Sequence, residues 1–136
     1  MTIVERKTSF TVTKRVFDKS VQTVTAATIA LLEPFKDAVL TITANNGKEF
    51  AYHKQLTQAL ECDVFFADSY CAWQRGLNDN TNGLLRQYWP KSTVFKKVSD
   101  LEVDDVPVKL NSRSRKKLTF KTLFELMDKH IAALAA

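Results

Sequence analysis

The sequence predicts an α/β fold, and three observations carry that prediction. Short β-branched apolar runs, Ala38–Thr43 and Val64–Ala67, alternate with segments whose apolar residues recur at helical spacing. The run ending at Thr43 stops abruptly at Asn45-Asn46-Gly47, as a buried strand does when it delivers a turn at its carboxyl end. At 136 residues and 45% hydrophobic content, the chain fits one domain with a core of useful size.

In chain order, Ile3-Val4 and Phe10–Phe17 flank a short polar turn and read as a hairpin. Ser20 is placed to cap a helix in which Val21, Val24, Ala27 and Leu31 share a face, and Pro34 marks its end. This helix is a crossover into the Ala38–Thr43 strand, whose carboxyl end is where open α/β sheets bind ligands. His53–Leu60 reads as a short helix with Leu56 and Leu60 inward, followed by the Val64–Ala67 strand and the loop Asp68–Ala72.

The helix expected from Trp73 to Pro90 carries the most chemistry. Leu77, Thr81, Leu84 and Tyr88 make its apolar stripe, and Arg75, Asp79, Asn82 and Arg86 its polar one. A carboxylate, two guanidinium groups and the amide-rich run Asn78–Asn82 suit phosphate and metal better than bare solvent. Beyond Pro90, Asp100, Glu102, Asp104 and Asp105 give way to Lys109, Arg113, Arg115, Lys116, Lys117 and Lys121, with no acid between Lys109 and Lys121. That reversal suggests a partner surface. A last helix over Lys121–Leu134 aligns Phe124, Met127 and Ile131 for packing.

Composition narrows the function classes. Twenty Lys and Arg against 15 Asp and Glu give a net charge of +5, which favours an acidic partner. No apolar run approaches the roughly 20 residues of a membrane span, and the polar start lacks a signal-peptide core, so a cytoplasmic protein with no membrane partner is expected. Cys62 and Cys71 are too few for a disulfide framework and no Cys/His set has zinc spacing, so both are expected as free thiols.

Three blocks together are more specific than any of these features: T-I-T-A-N-N-G-K-E-F-A from Thr41, F-A-D-S-Y-C-A-W-Q-R-G-L-N-D-N-T-N-G-L-L-R-Q-Y-W-P-K from Phe66, and L-N-S-R-S-R-K-K-L from Leu110. Over nearly its whole length the chain resembles the catalytic domain of the insertion-sequence-thirty family of bacterial transposases. The resemblance implies a ribonuclease-H-like, retroviral-integrase-type fold, a mixed sheet flanked by helices. It also implies a chemistry of three carboxylates holding two Mg²⁺ ions for attack on a phosphodiester. On this pattern the second carboxylate position is Asn45 and the third is Asp79, with 33 residues between them as the family spacing asks. The first Asp belongs to a strand upstream of Val4-Glu5-Arg6-Lys7, so the fold is expected to lack its first central strand and the chain to be an amino-terminally truncated core.

These departures set the expected function. Asn45 offers a neutral carbonyl oxygen in place of a charge, and Asp79 is one methylene shorter than Glu. Two dications need more anionic charge than that, so Mg²⁺ is not expected to bind stably and Asp79 is expected as a weak or lost metal ligand. The resemblance implies a DNA partner at transposon ends, with Arg75, Arg86, Arg113, Arg115, Lys116 and Lys117 as candidate phosphate contacts, and a possible transposase multimer. The missing strand would leave two open sheet edges and a marginally stable or partner-dependent chain. The reading is a truncated transposase of the DDE integrase-core type, inactive alone. The alternative is a regulatory fragment that binds DNA or transposase. Trp73 and Gln74 are expected to pack or position the loop before the helix, Lys48 and Glu49 stand near the site by resemblance, and His53 and His130 are assigned to surface or helix roles. Glu49, Asp63 and Asp68 are acids near strand ends that match no metal position.

Overall fold

The computed structural model describes residues 1–68, 76–114, 116 and 119–135. They gather into two compact units, Met1 with Val16–Gly76 and Thr2–Arg15 with Leu77–Ala136. Each unit carries one two-stranded sheet and its own helices. The α/β class is therefore as the alternation predicted, while the single mixed sheet is present among the described residues as two separate pairs.

In the first unit, helix α1 (Val21–Leu32) starts at Ser20, whose hydroxyl accepts the Thr23 amide at 3.3 Å. Val24, Ala27 and Leu32 are buried with Thr25 and Thr28, and the Thr28 hydroxyl donates to the Val24 carbonyl at 2.8 Å. Pro34 does not simply stop the chain: it opens a 3-10 turn over Glu33–Ala38, where its missing N–H is not needed. That turn absorbs Ala38, so strand β3 runs from Thr41 to Ala44, later than the sequence suggests. It pairs in parallel with β4 (Asp63–Phe66), Thr41 opposite Asp63 and Ala44 opposite Phe66.

Helix α2 (His53–Leu60) crosses between those strands, buries Leu56 and Leu60 as expected, and turns back through Glu61 in a left-handed conformation. His53, expected in a surface or helix role, opens this helix, and its ring packs edge-on against Phe66 at 5.2 Å. Cys62 is buried and free; burial, with the charge of Asp63, pushes its thiol up, so it stays protonated and inert.

In the second unit, β1 (Thr2–Val4) pairs antiparallel with β2 (Thr11–Thr13). The turn between them is organised by the Glu5 carboxylate, which accepts the Lys7 and Thr8 amides at 2.9 and 2.6 Å and the Thr8 hydroxyl at 2.7 Å. Burial pushes that carboxyl up. The Thr8 and Lys7 hydrogen bonds and the nearby His130 outweigh burial and hold it below its ordinary value.

The hairpin is shorter than Phe10–Phe17 because its register already sets Thr13 opposite Thr2, and the far side of β2 is occupied by helix α4 (Asp100–Asn111). The buried Asn111 amide acts as a third strand: its Oδ1 accepts the Thr11 N–H at 3.0 Å and its Nδ2 donates to the Thr11 carbonyl at 2.7 Å. Two residues on, the Thr13 hydroxyl donates to the Val103 carbonyl at 2.9 Å. Pro107, four residues after Val103 inside α4, has no N–H to offer that carbonyl. Two residues further, Arg15 reaches the Val98 carbonyl and pairs with Asp100 at 2.7 Å.

The sequence reading did not assign α4 as a helix. Its start is nevertheless written in Ser99-x-x-Glu102, where the serine hydroxyl accepts the Glu102 amide at 3.2 Å. Val103, Val106 and Leu110 of α4 form a core with Val98, Trp89 and Leu85, the last from helix α3 (Gly76–Leu85). Thr81, Leu85 and Trp89 are the buried line, so the apolar stripe expected over Leu84 and Tyr88 sits at the core margin. Helix α5 (Leu123–Ala135) is capped by Thr122, buries Leu123 and Met127, and sets Phe124 edge-on to Phe10 at 5.3 Å. His130, expected in a surface or helix role, lies in α5, and its Nδ1 is buried without a partner among the described residues. No helix among the described residues is long and apolar enough to cross a membrane.

Two expectations test this packing. Thr13→Val strips the Val103 carbonyl of its donor and lowers stability by about 1–3 kcal/mol in urea titration. Placed on Pro107→Ala, which returns an N–H to that carbonyl, the same change loses most of its effect in a double-mutant cycle. For Glu5, the folded pKa lies below the ordinary 4.5, so its contribution is fully present above that pH and is lost as pH falls through the folded value. Glu5→Gln therefore flattens the stability profile below pH ~4.5 and leaves its shape near neutrality unchanged, as thermal melts across pH read directly.

Candidate functional site

Asn45 lies immediately past the carboxyl end of β3, the end at which a parallel pair presents a ligand-binding turn. It is half-buried, and its Oδ1 accepts the Gly47 amide at 3.0 Å. Asn46 donates from Nδ2 to the Ala67 carbonyl at 2.9 Å, while the Ala67 amide donates to the Ala44 carbonyl at 2.8 Å, so this turn is fastened to the end of β4. Glu49, in the 3-10 turn Lys48–Phe50, folds its carboxylate back over Gly47, in the space a side chain at that position would fill. A side chain at Gly47 would meet only the far end of Glu49, which can swing aside, and no glycine has positive φ, so neither room nor backbone conformation demands glycine there.

Asp79 stands in the first turn of α3, exposed, on the side away from Thr81 and Leu85. The segment folds this way because Thr81, Leu85 and Trp89, at a spacing of four, follow the core and leave the carboxylate and Asn80 outside. Asn45 belongs to the first unit and Asp79 to the second.

The expected metal chemistry can be weighed on the donors present. Asn45 is uncharged and its side-chain oxygen is engaged by Gly47, and Asp79 is a lone exposed carboxylate. Among the described residues no group of three His, Cys, Asp or Glu side chains converges in a way that could hold a metal ion. A pair of divalent cations needs several anionic oxygens at once, of which Asn45 supplies none and Asp79 one carboxylate.

The basic residues fall into two groups. Arg86 is exposed just past α3, its amide bonded to the Asn82 carbonyl at 3.0 Å. The Arg113 guanidinium lies 5.4 Å from the Tyr88 ring centroid, donates to the Tyr88 hydroxyl, and approaches the Gln87 side-chain oxygen at 3.5 Å. Both terminal nitrogens are thus engaged, Nη1 by Gln87 and Nη2 by Tyr88, and these contacts orient the guanidinium. Lys116 is exposed in a turn closed by the Thr119 amide on its carbonyl at 3.2 Å. Trp73, Gln74, Arg75, Arg115 and Lys117 lie outside the described residues.

Sequence reasoning missed three features here. The return of Glu49 over Gly47 depends on a 3-10 turn that its residues do not announce. The Tyr88–Arg113 stack joins positions 25 apart, beyond any local period. Thr119 and Phe120 both take positive φ, 56° and 61°, without the glycine or asparagine that would signal it.

No family model matches the chain. It is nonetheless similar to curated proteins over most of its length. The transposase for insertion sequence element IS4351 of Bacteroides fragilis is 40% identical over 122 residues, 90% of this chain and 37% of the relative. Transposase InsI for insertion sequence element IS30A of Escherichia coli K12 is 39% identical over 132 residues, 96% of this chain and 34% of the relative. The transposase for insertion sequence element IS1086 of Cupriavidus metallidurans is 40% identical over 92 residues, 68% of this chain and 27% of the relative. The chain thus spans about a third of the length of the curated relatives it matches.

Proposed function

Because the chain belongs with the transposases of the insertion-sequence-thirty family, matching about a third of their length, we propose that it is a stretch of a ribonuclease-H-like, DDE-type transposase core. In this reading Asn45 and Asp79 occupy the second and third acidic-ligand positions. Arg75, Arg86, Arg113, Arg115, Lys116 and Lys117 meet DNA phosphates, and the protein as a separate chain neither cuts nor joins DNA.

The observation that carries the catalytic silence is Asn45. It follows β3 at the strand end where a metal ligand belongs, yet it is neutral and its oxygen is committed to the Gly47 amide. Asp79 alone supplies one negative charge, too little to offset the repulsion of two dications held close together. DNA contact rests on different residues and does not depend on that charge. It needs cations and oriented donors, which Arg86, Lys116 and the stacked Arg113 supply.

A second reading, a transposase-binding regulator, is favoured by α4. Leu101 is 80% exposed and Val108 is exposed seven residues on, with the exposed Asp104 and Asp105 between them, an acidic and apolar strip that suits protein better than DNA. Such a fragment would associate with an intact transposase and alter its assembly.

With purified protein, millimolar Mg²⁺ or Mn²⁺ and duplex DNA carrying insertion-sequence ends, cleavage and strand transfer are expected to stay at the level of an Asp79→Ala control. Activity clearly above that control would falsify the silent-core reading. Binding of the same duplex, followed by anisotropy, is expected to weaken steeply with salt. Retention of an intact transposase on the immobilised chain, with little salt-sensitive DNA binding, would favour the regulator instead.

A further inference from the structure

Thr119 and Phe120 are consecutive non-glycine residues in left-handed backbone, a conformation that L residues adopt at energetic cost. The ring this places is not buried: Phe120 is 68% exposed. Strain of this sort persists where the surrounding structure holds it, and the Phe120 ring itself is left outside the core.

The surroundings say what kind of ligand the ring suits. The Thr119 amide closes a turn on the Lys116 carbonyl at 3.2 Å, bringing the exposed Lys116 into the same turn, and the exposed Lys121 follows directly. No acid lies between Lys109 and Lys121, and the next one, Glu125, is engaged with the Thr122 hydroxyl at 3.2 Å. An exposed aromatic ring with exposed lysines four residues before it and one after matches a nucleotide, whose base offers a flat π surface and whose phosphates offer charge. A protein partner would have to be acidic as well as apolar; a nucleic acid meets both demands by its ordinary construction.

We propose that Phe120 stacks on an unpaired or unstacked DNA base while Lys116 and Lys121 take the adjacent phosphates. This rests on the reading that the chain contacts DNA, and adds that it engages base faces as well as backbone. Stacking of one base is sequence-tolerant, because every base has such a face. The turn therefore prefers DNA whose strands are open, at a melted end or a single-stranded overhang, over intact duplex.

The test uses the 136-residue protein and a short single-stranded oligodeoxynucleotide carrying one 2-aminopurine, with its fully paired duplex as the comparison. Binding to the single strand is expected to quench the probe, and Phe120→Ala to weaken it roughly tenfold with the salt slope unchanged. Phe120→Trp is expected to retain both affinity and quenching. Exchanging Lys116 and Lys121 for Gln should reduce the salt slope by about two. Phe120→Gly relieves the left-handed backbone, so it should raise the melting temperature by about 2–4 °C while binding falls as in the alanine variant.

Wild-type affinity and quenching in Phe120→Ala would overturn the proposal and leave phosphate contact standing. Equal loss in Phe120→Ala and Phe120→Trp would also overturn it, by showing a structural role for the position. A change confined to self-association in sedimentation would assign the ring to a protein contact instead. Absence of any DNA binding by the unaltered chain would remove the parent reading along with this one.

Discussion

The second unit depends on a seam in which one edge of β2 is satisfied by a helix instead of a strand. Residues of like parity, Thr11, Thr13 and Arg15, meet α4 in order through the Asn111 amide, the Val103 carbonyl and the Val98–Asp100 end. A three-residue strand pairing on one side only would leave backbone donors and acceptors without partners, and burying them that way is unfavourable. Asn111 reproduces both hydrogen bonds of a neighbouring peptide, and Thr13 fills the vacancy that Pro107 opens in its own helix. The proline and the threonine are thus complementary features of one contact. The edge that would otherwise invite another chain is closed from within.

From that seam the placement of the functional residues follows. Because α4 lies along β2, its Val103, Val106 and Leu110 are available to α3 and Trp89, and this core fixes which side of α3 is buried. Asp79 is exposed for that reason and not through any special contact. The same core holds Tyr88 at its margin, where its ring and hydroxyl can seat Arg113. The first unit reaches its own presentation of Asn45 by independent means, with a parallel pair whose turn is tied across to Ala67.

How much of this could be read in the sequence varies with the range of the interaction that decides it. Ser20 and the ends of α2 were legible because a side-chain cap and a four-residue apolar spacing are local. The line Thr81, Leu85, Trp89 was read a residue off at its later positions, since the helical period allows either Leu84 or Leu85 inward and only the α4 core chooses. Helix α4 was obscured by Pro107, which argues against a helix until the distant Thr13 hydroxyl is known to be there. Phe10–Phe17 reads as one strand because it is rich in β-branched and aromatic residues. Beyond Thr13 it makes contacts to a helix rather than a ladder. At the site, the positions of Asn45 and Asp79 relative to β3 and α3 came from the recognised blocks, whereas the Glu49 return and the Phe120 turn had no local signature.

The charge reversal along the carboxyl-terminal third can be divided by the same reasoning. Asp100 and Glu102 lie in the first turn of α4 and Lys109 in its last, the arrangement that complements the helix dipole, and Lys109 pairs with Asp105 at 3.1 Å. Asp100 is additionally engaged by Arg15. These contacts account for Asp100, Glu102, Asp105 and Lys109 within the fold itself. What the helix does not explain begins after it ends: Arg113 set on an aromatic ring, then Lys116 and Lys121 around an exposed phenylalanine in left-handed backbone. A solvated basic face would need neither the stack nor the strained turn, so the functional reading belongs to this shorter tract rather than to net charge.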